Sequence, residues 1–255
     1  MPDTCRLSDI LASWHDWPLP LSAPPKVLGA IEGGRTNRNI KLQVKHQDPP
    51  IILRLHNLHS QQLGIDRQQE ADIIQTVSRA GITPEPLYRD PLQRFVLLPY
   101  IEGRTWSQTD FQQQHQRLRL LELLAQVRRL TPAIPRRSYR QYLNNYWQQL
   151  IAAQAIDDDL SRRWQKFYPP LEHFDRQPWS ASLTHHDVIP ENIIDTGDRL
   201  YLIDWEYAAL GHSDIDLWCI DPQLAQTPFI AELMHWTNDL WQRVATLYSP
   251  ITTSA

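Results

Sequence analysis

The sequence predicts an α+β chain of two lobes: a small antiparallel β-sheet lobe over residues 1–100, opened by a helix, and a mostly helical lobe over residues 101–255. Three observations predict it. Short apolar runs separated by Gly, Pro and Asp turns crowd into residues 27–98, helical periodicity dominates from Gln112 onward, and one β-rich island, Leu183 to Trp205, interrupts the helical half. A chain of 255 residues buries cores of this size without needing disulfides or a structural metal.

Leu7, Ile10, Leu11 and Trp14 recur at helical spacing over residues 6–14, and Pro18, Pro20, Pro24 and Pro25 end that helix. Strands are expected at 27–31 and 39–44 around a Gly33-Gly34 turn. Asp48-Pro49-Pro50 turns the chain again into 51–55, which is apolar on both faces except for Arg54 and so reads as a central strand. Asp66 to Ala80 carries Ala71, Ile73, Ile74 and Val77 among polar residues and is stopped by Gly81, the signature of a helix. Strands follow at 86–88 and 95–98, and Pro99 to Gly103 breaks the β pattern at the lobe boundary. Helices are expected at 112–130, 138–155, 159–168 and 228–247.

Composition narrows the function. A net charge of -4 gives no broad attraction for nucleic acid, which is bound mainly through cationic side chains on phosphates. No apolar run reaches the roughly 20 residues of a membrane span. The first residues lack the basic-then-apolar order of a secretion signal, and Cys5 and Cys219 form no metal-ligand or disulfide pattern, so a cytoplasmic setting is expected. The expected partner is a small molecule.

The strongest chemical signal is His185-His186-Asp187-Val-Ile-Pro-Glu-Asn192, followed by Ile203-Asp204-Trp205-Glu206-Tyr207 after a short hairpin. Asp187 and Asn192 sit on one tight loop and Asp204 follows on the next strand, so three oxygen-bearing side chains can converge. Phosphoryl transfer needs such a set: one carboxylate for the hydroxyl proton and two oxygen ligands for magnesium on the phosphates. Arg54 is the lone charge in an apolar strand and requires an acidic partner, for which Glu70 on the next helix is the candidate. The glycines of Glu32-Gly33-Gly34-Arg35-Thr36-Asn37 would let backbone approach a phosphate.

These motifs resemble those of the aminoglycoside phosphotransferase and choline kinase superfamily, relatives of the protein kinases, and within it most resemble bacterial thiamine and choline kinases. The resemblance runs from about Val27 to about Ile220. It implies a bilobed protein-kinase-like fold whose first lobe binds the nucleotide and whose second holds catalysis and the acceptor. By the same resemblance Asp187 is the catalytic base, Asn192 and Asp204 hold Mg²⁺, and Gly33, Gly34, Asn37, Arg54 and Glu70 serve ATP. His185 and Asp216 would brace the catalytic loop, and residues 97–103 would form the adenine-binding hinge. The cation being Arg54 instead of Lys, and the run Asp204-Trp205-Glu206-Tyr207, point toward thiamine first and choline or ethanolamine second. Either acceptor is a cationic alcohol suited to aromatic faces, with Trp205, Glu206 and Trp218 as candidate contacts. Asp214 would be a helix N-cap, with Asp214 and Asp216 facing away from Ile215 and Leu217.

Three other readings remain at this point. An aminoglycoside kinase would share the mechanism with a different acceptor. A nucleotide-binding regulator would keep the fold without catalysis. A metallohydrolase would use His185, His186, Asp187 and His212, although adjacent histidines on a strand point to opposite faces.

Overall fold

In the computed structural model, which describes residues 6–31, 36–45 and 49–248, the first lobe is a five-stranded antiparallel sheet of order β1-β2-β3-β5-β4. Its strands are β1 (Lys26–Ile31), β2 (Arg38–Gln43), β3 (Ile51–Leu55), β4 (Tyr88–Arg89) and β5 (Phe95–Pro99). Alternation sorts β3 between two environments. Ile51, Leu53 and Leu55 pack with Phe95 and Leu97 of β5 into a core that is covered by Ile10 of α1 (Leu7–Ala12) and by Trp17. Ile52 and Arg54 face the other way, into a cleft. Arg54 pairs in register with Asn39 on one side and Val96 on the other, so the predicted central strand is central. The predicted Gly33-Gly34 turn, Cys5 and Asp48 lie outside the described residues.

Between β3 and β4 runs α2 (Arg67–Arg79), capped by Asp66, whose carboxylate accepts from Gln68 N and Gln69 N at 2.9 and 3.0 Å. Its apolar face does not close the sheet core. Ile73, Ile74 and Val77 pack instead with Leu120, Leu124, Ile193, Leu202 and Trp205, which belong to the second half of the chain. Leu202 N donates to Ile82 O at 3.1 Å and Gln69 Nε2 to Ala208 O at 3.0 Å, so α2 and the turn after it are bonded to the segment carrying Asp204.

The second half is largely helical: α3 (Gln108–Gln112), α4 (Gln114–Val127), α5 (Tyr139–Ala152), α6 (Asp158–Arg176), α7 (Asp214–Ile220) and α8 (Phe229–Tyr248). The helix expected over 112–130 is two helices. Gln113 is extended (ψ 119°), ending the five-residue α3 and standing at the N-cap position of α4, while Ser107 and Asp110 close a capping box at the start of α3. The helix expected to end at 168 continues to Arg176 through Pro169 and Pro170. Leu160, Trp164, Phe167, Leu171 and Phe174 form an unbroken buried stripe, while both prolines lie on the exposed face, where a missing N–H bond is least costly.

The β-rich island forms two small sheets. β7 (Ala181–Thr184) pairs with β10 (Ala209–His212), while β8 (Ile193–Asp195) and β9 (Leu200–Leu202) join β6 (Arg104–Thr105), a strand the sequence did not suggest. The alternation expected over Asp214 to Leu217 is instead the first turn of α7. Ser213 stands at the cap position, and Asp214 accepts from Gln226 N and Thr227 N at 3.0 and 2.8 Å, tying α7 to the entrance of α8. No helix among the described residues is long and apolar enough to cross a membrane.

Candidate active site

A cavity of about 830 Å³ opens between the five-stranded sheet and the helical half, within the range of small-ligand sites. Asp187, Asn192, Asp204 and Arg54 all border it.

Two backbone exceptions shape the site, His186 in the loop after β7 and Asp204 after β9. His186 has φ 68°, which turns His185 N and His186 N toward the same carboxylate; Asp216 accepts both, at 3.0 and 2.9 Å. Burial pushes the Asp216 carboxyl up to about 6, against the two backbone N–H groups that favour its charge. His185 is fully buried, and its Nε2–H donates to Ile203 O at 2.9 Å while Asn192 O accepts from Ile203 N at 2.9 Å. The residue before Asp204 is thus held from both sides by the loop that carries Asp187. Asp204 itself has φ 66°, strained for a residue with a Cβ and worth roughly 1–2 kcal/mol at a single position.

Asn192 Nδ2 donates to the backbone O and the carboxylate Oδ2 of Asp187 at 2.9 and 3.0 Å. That orientation leaves Asn192 Oδ1 as its acceptor for a cation. With the carboxylates of Asp187 and Asp204 it makes an all-oxygen donor set, the chemistry Mg²⁺ requires.

Arg54 is 5% exposed and does not rest on Glu70 alone. Its Nη2 bonds Asp204 Oδ1, its Nη1 lies 3.6 Å from Glu70 Oε1, and Glu206 Oε2 stands 4.0 Å away. Glu70's nearer partner is Arg67, at 2.7 Å, a residue that sequence reasoning missed. Arg67 also donates to Glu206 at 3.1 Å, to Asn37 Oδ1 at 2.8 Å and to Ser60 Oγ at 2.9 Å, and Asn37 Nδ2 donates to Glu206 at 2.7 Å. Burial pushes the Glu70 carboxyl up, but Arg54 and Arg67 outweigh it and hold it below its ordinary range. Glu206 shifts the other way: burial, then Asp204 beside it, raises its carboxyl. Two guanidinium groups thus face three carboxyl groups, of which Glu206 is the one drawn toward its neutral form.

The candidate acceptor contacts divide. Trp205 is 1% exposed; its indole N–H donates to Leu202 O at 2.9 Å and its ring lies edge-on to His185, so its side chain is engaged in packing. Trp218 packs against His235 and does not border the cleft. Glu206 borders it but is bonded to Asn37 and Arg67. Tyr142, Tyr207 and Trp241 do line it, with Trp241 Nε1 donating to Tyr207 Oη at 2.7 Å. Lys41, unforeseen, also lines it, 3.8 Å over the Tyr100 ring in the 97–103 segment.

The histidines form no metal cluster. His186 Nδ1–H donates to Thr184 O at 3.1 Å and its Nε2 accepts from Tyr139 O–H at 3.0 Å, away from the His185 bond to Ile203; His212 Nδ1 accepts from Asp214 N. Among the described residues no three His, Cys, Asp or Glu side chains are grouped as metal ligands.

A model of the phosphotransferase enzyme family matches residues 27–247. The chain belongs to that family. It is 27% identical to the protein LicA of Haemophilus influenzae over 195 residues, which are 72% of this chain and 55% of that one; the chain thus spans about half the length of that curated relative. Among solved structures, the choline kinase LicA from Streptococcus pneumoniae superposes with a TM-score of 0.68 at 18% identity, covering 88% of each chain. A LicA structure in complex with AMP gives 0.71 at 19% identity, over 90% of this chain and 87% of that one. At these identities the structural likeness establishes the shared fold of the family, a bilobed kinase-like fold.

Proposed function

We propose that the protein is a small-molecule kinase that moves the γ-phosphoryl group of ATP to the hydroxyl of a small alcohol. The observation that carries this reading is the convergence of Asp187, Asn192, Asp204 and Arg54 on one cleft, with Asn192 bonded to Asp187, Arg54 to Asp204, and Ile203 bonded to the loop through Asn192 and His185. Asp187 accepts the acceptor's hydroxyl proton as the oxygen attacks. Asn192 fixes that carboxylate through its bond to Oδ2. Arg54 holds the nucleotide phosphates, and Glu70 and Arg67 set its position from behind. Gly33 and Gly34 serve the phosphate side, and residues 97–103 receive the adenine through backbone groups; Asn37, expected beside the phosphates, is buried behind the cleft wall, where it ties Arg67 to Glu206. Mg²⁺, which Asn192 Oδ1 and the Asp204 carboxylate would hold, supplies neutralisation of phosphate charge. His185 and Asp216 are positioning residues that act through the loop.

The acceptor is read as a cationic alcohol lying against Tyr207 and Trp241. Choline or ethanolamine is supported by the LicA relatives, one of which is described as a choline kinase. Thiamine is supported by the Asp204-Trp205-Glu206-Tyr207 run, which delivers Tyr207 to the cleft wall. ADP release from Mg-ATP with choline, ethanolamine, thiamine and kanamycin tests the reading. Release dependent on one of the first three is expected; release with kanamycin alone would move the protein to the aminoglycoside kinases, and tight nucleotide binding with no release would make it a regulator.

A further inference from the structure

The acceptor end of the cleft carries a cation that the phosphotransfer geometry does not use. Arg136 and Arg137 approach α5 in an extended segment, so their side chains leave on opposite sides. Arg136 lies 3.6 Å over the Trp179 ring and donates to Asp175 O and Gln177 O at 3.0 and 3.2 Å. Arg137 turns into the cleft, half-buried, its guanidinium carbon 4.5 Å from the centre of the Tyr142 ring. Its backbone is pinned by Arg137 N donating to Leu210 O at 2.8 Å. The next two residues are pinned by Asp175, which accepts from Ser138 Oγ at 2.6 Å and Tyr139 N at 2.8 Å.

Arg54 on the inner wall is ion-paired with Asp204 and Glu70, and Glu206 is bonded to Arg67 and Asn37, whereas Lys41 and Arg137 each lie over a ring, Tyr100 and Tyr142. Of these two, Arg137 carries the planar fork of donors. Among the described residues no carboxylate lies within 4.0 Å of it, and its side-chain N–H groups have no protein acceptor. A guanidinium presents five donors in a planar fork, matched to acid oxygens and ring nitrogens. A bare onium alcohol offers this group nothing to bind. It also meets a like charge that already covers one face of Tyr142.

We infer that Arg137 is a specificity-determining residue that seats an acceptor carrying, besides its reacting hydroxyl, a second, hydrogen-bond-accepting group, either a ring nitrogen or an acid oxygen. This rests on the phosphotransfer reading and narrows its acceptor: a ring nitrogen keeps the cationic alcohol, whereas an acid oxygen replaces it with an anionic one, and the test separates the two. Such an acceptor lies between the Arg137 fork and the aromatic faces of Tyr207 and Trp241, with its hydroxyl toward Asp187.

The test is calorimetric binding to the full chain with a non-hydrolysable Mg-ATP analogue, using thiamine (ring nitrogens), glycerate (a carboxylate) and choline (neither). Steady-state kinetics on the same proteins accompany it. Thiamine or glycerate is expected to bind the wild-type chain about ten-fold or more tightly than choline. Arg137→Ala should weaken that ligand about ten-fold, leave choline binding unchanged or tighter, and raise KM with kcat within about three-fold. Arg137→Lys should recover part of the loss. Should the alanine variant melt early, Arg137→Gln takes its place, since it keeps the stem over Tyr142. Choline binding as tightly as the others, no binding by any of the three, equal weakening of all, or a kcat defect with unchanged binding would each overturn the inference. ADP release is a separate readout: binding that follows Arg137 without turnover would overturn the phosphotransfer reading and the acceptor seat built on it, whereas turnover of choline indifferent to Arg137 overturns only the seat.

Discussion

Arg67 decides the electrostatics of the cleft more than any residue singled out from the sequence. It is buried and bonded to Glu70, Glu206, Asn37 and Ser60 at once. Breaking a buried ion pair from one side leaves charge without compensation, which typically costs about 3–5 kcal/mol. Arg67→Ala is therefore expected to lower unfolding stability by about that amount in urea, with nucleotide affinity falling as Glu70 and Arg54 lose their brace; a change below about 1 kcal/mol would contradict the network. Arg54 was legible because one charge in an apolar strand demands a partner. Arg67 was not, because an arginine on the first turn of a polar helix looks solvated until tertiary structure buries it. Trp218 and Trp205 show the converse: aromatic residues next to a motif imply a ligand wall as readily as a core, and only the packing separates them.

At the scale of elements, β7 and β10 hold the catalytic loop against the helical core, and Gly211 is where they come closest to it. A Cβ there would meet Cε1 of the half-buried His186 at 2.5 Å and the hydroxyl of the buried Tyr139 at 2.5 Å, groups with bonds of their own. Gly211→Ala should thus lose about 1–3 kcal/mol from overpacking. It should also cut turnover by displacing His186, and a melting temperature and kcat both equal to wild type would refute this. Short apolar runs between turn residues exposed the central strands β3 and β5, and helical periodicity exposed α2, α5 and α8, because each of those helices buries one face. The short pieces escaped. β6 has two residues, the break between α3 and α4 is the single extended residue Gln113, and α7 begins with the acids Asp214 and Asp216, whose partners lie far along the chain. The loop motif was readable in full, since its spacing is local, whereas its fastening by Asp216 was implied by resemblance alone.

For the whole molecule, α2 ties the two halves together, sharing a core with the catalytic segment while its Glu70 reaches the sheet's Arg54. Buried imidazoles give this assembly a pH dependence. Burial lowers His56 and His185 to about 4 and holds His186 well below 6.5, so the folded chain refuses protons that the unfolded chain accepts below pH 6.5. Stability from these groups is present above pH 6.5 and drains as the pH falls toward 4, by about 1.4 kcal/mol per group per pH unit at most. Asp216 and Glu206, both raised chiefly by burial, work in the opposite sense over much of the same window, two groups against three. Thermal melts should thus show a lower Tm at pH 5 than at pH 7, and an equal or higher Tm at pH 5 would contradict the burial of those rings.

The central claim, that this cleft transfers phosphate through Asp187, is tested most directly by one comparison. Wild type and Asp187→Asn are assayed for acceptor-dependent ADP release from Mg-ATP, with nucleotide affinity measured on the same preparations. The account predicts a fall of at least about a thousand-fold in kcat, counting both proton acceptance and alignment of the hydroxyl, with Mg-ATP affinity changed by less than a few fold. An Asp187→Asn enzyme that keeps near-wild-type turnover would contradict it.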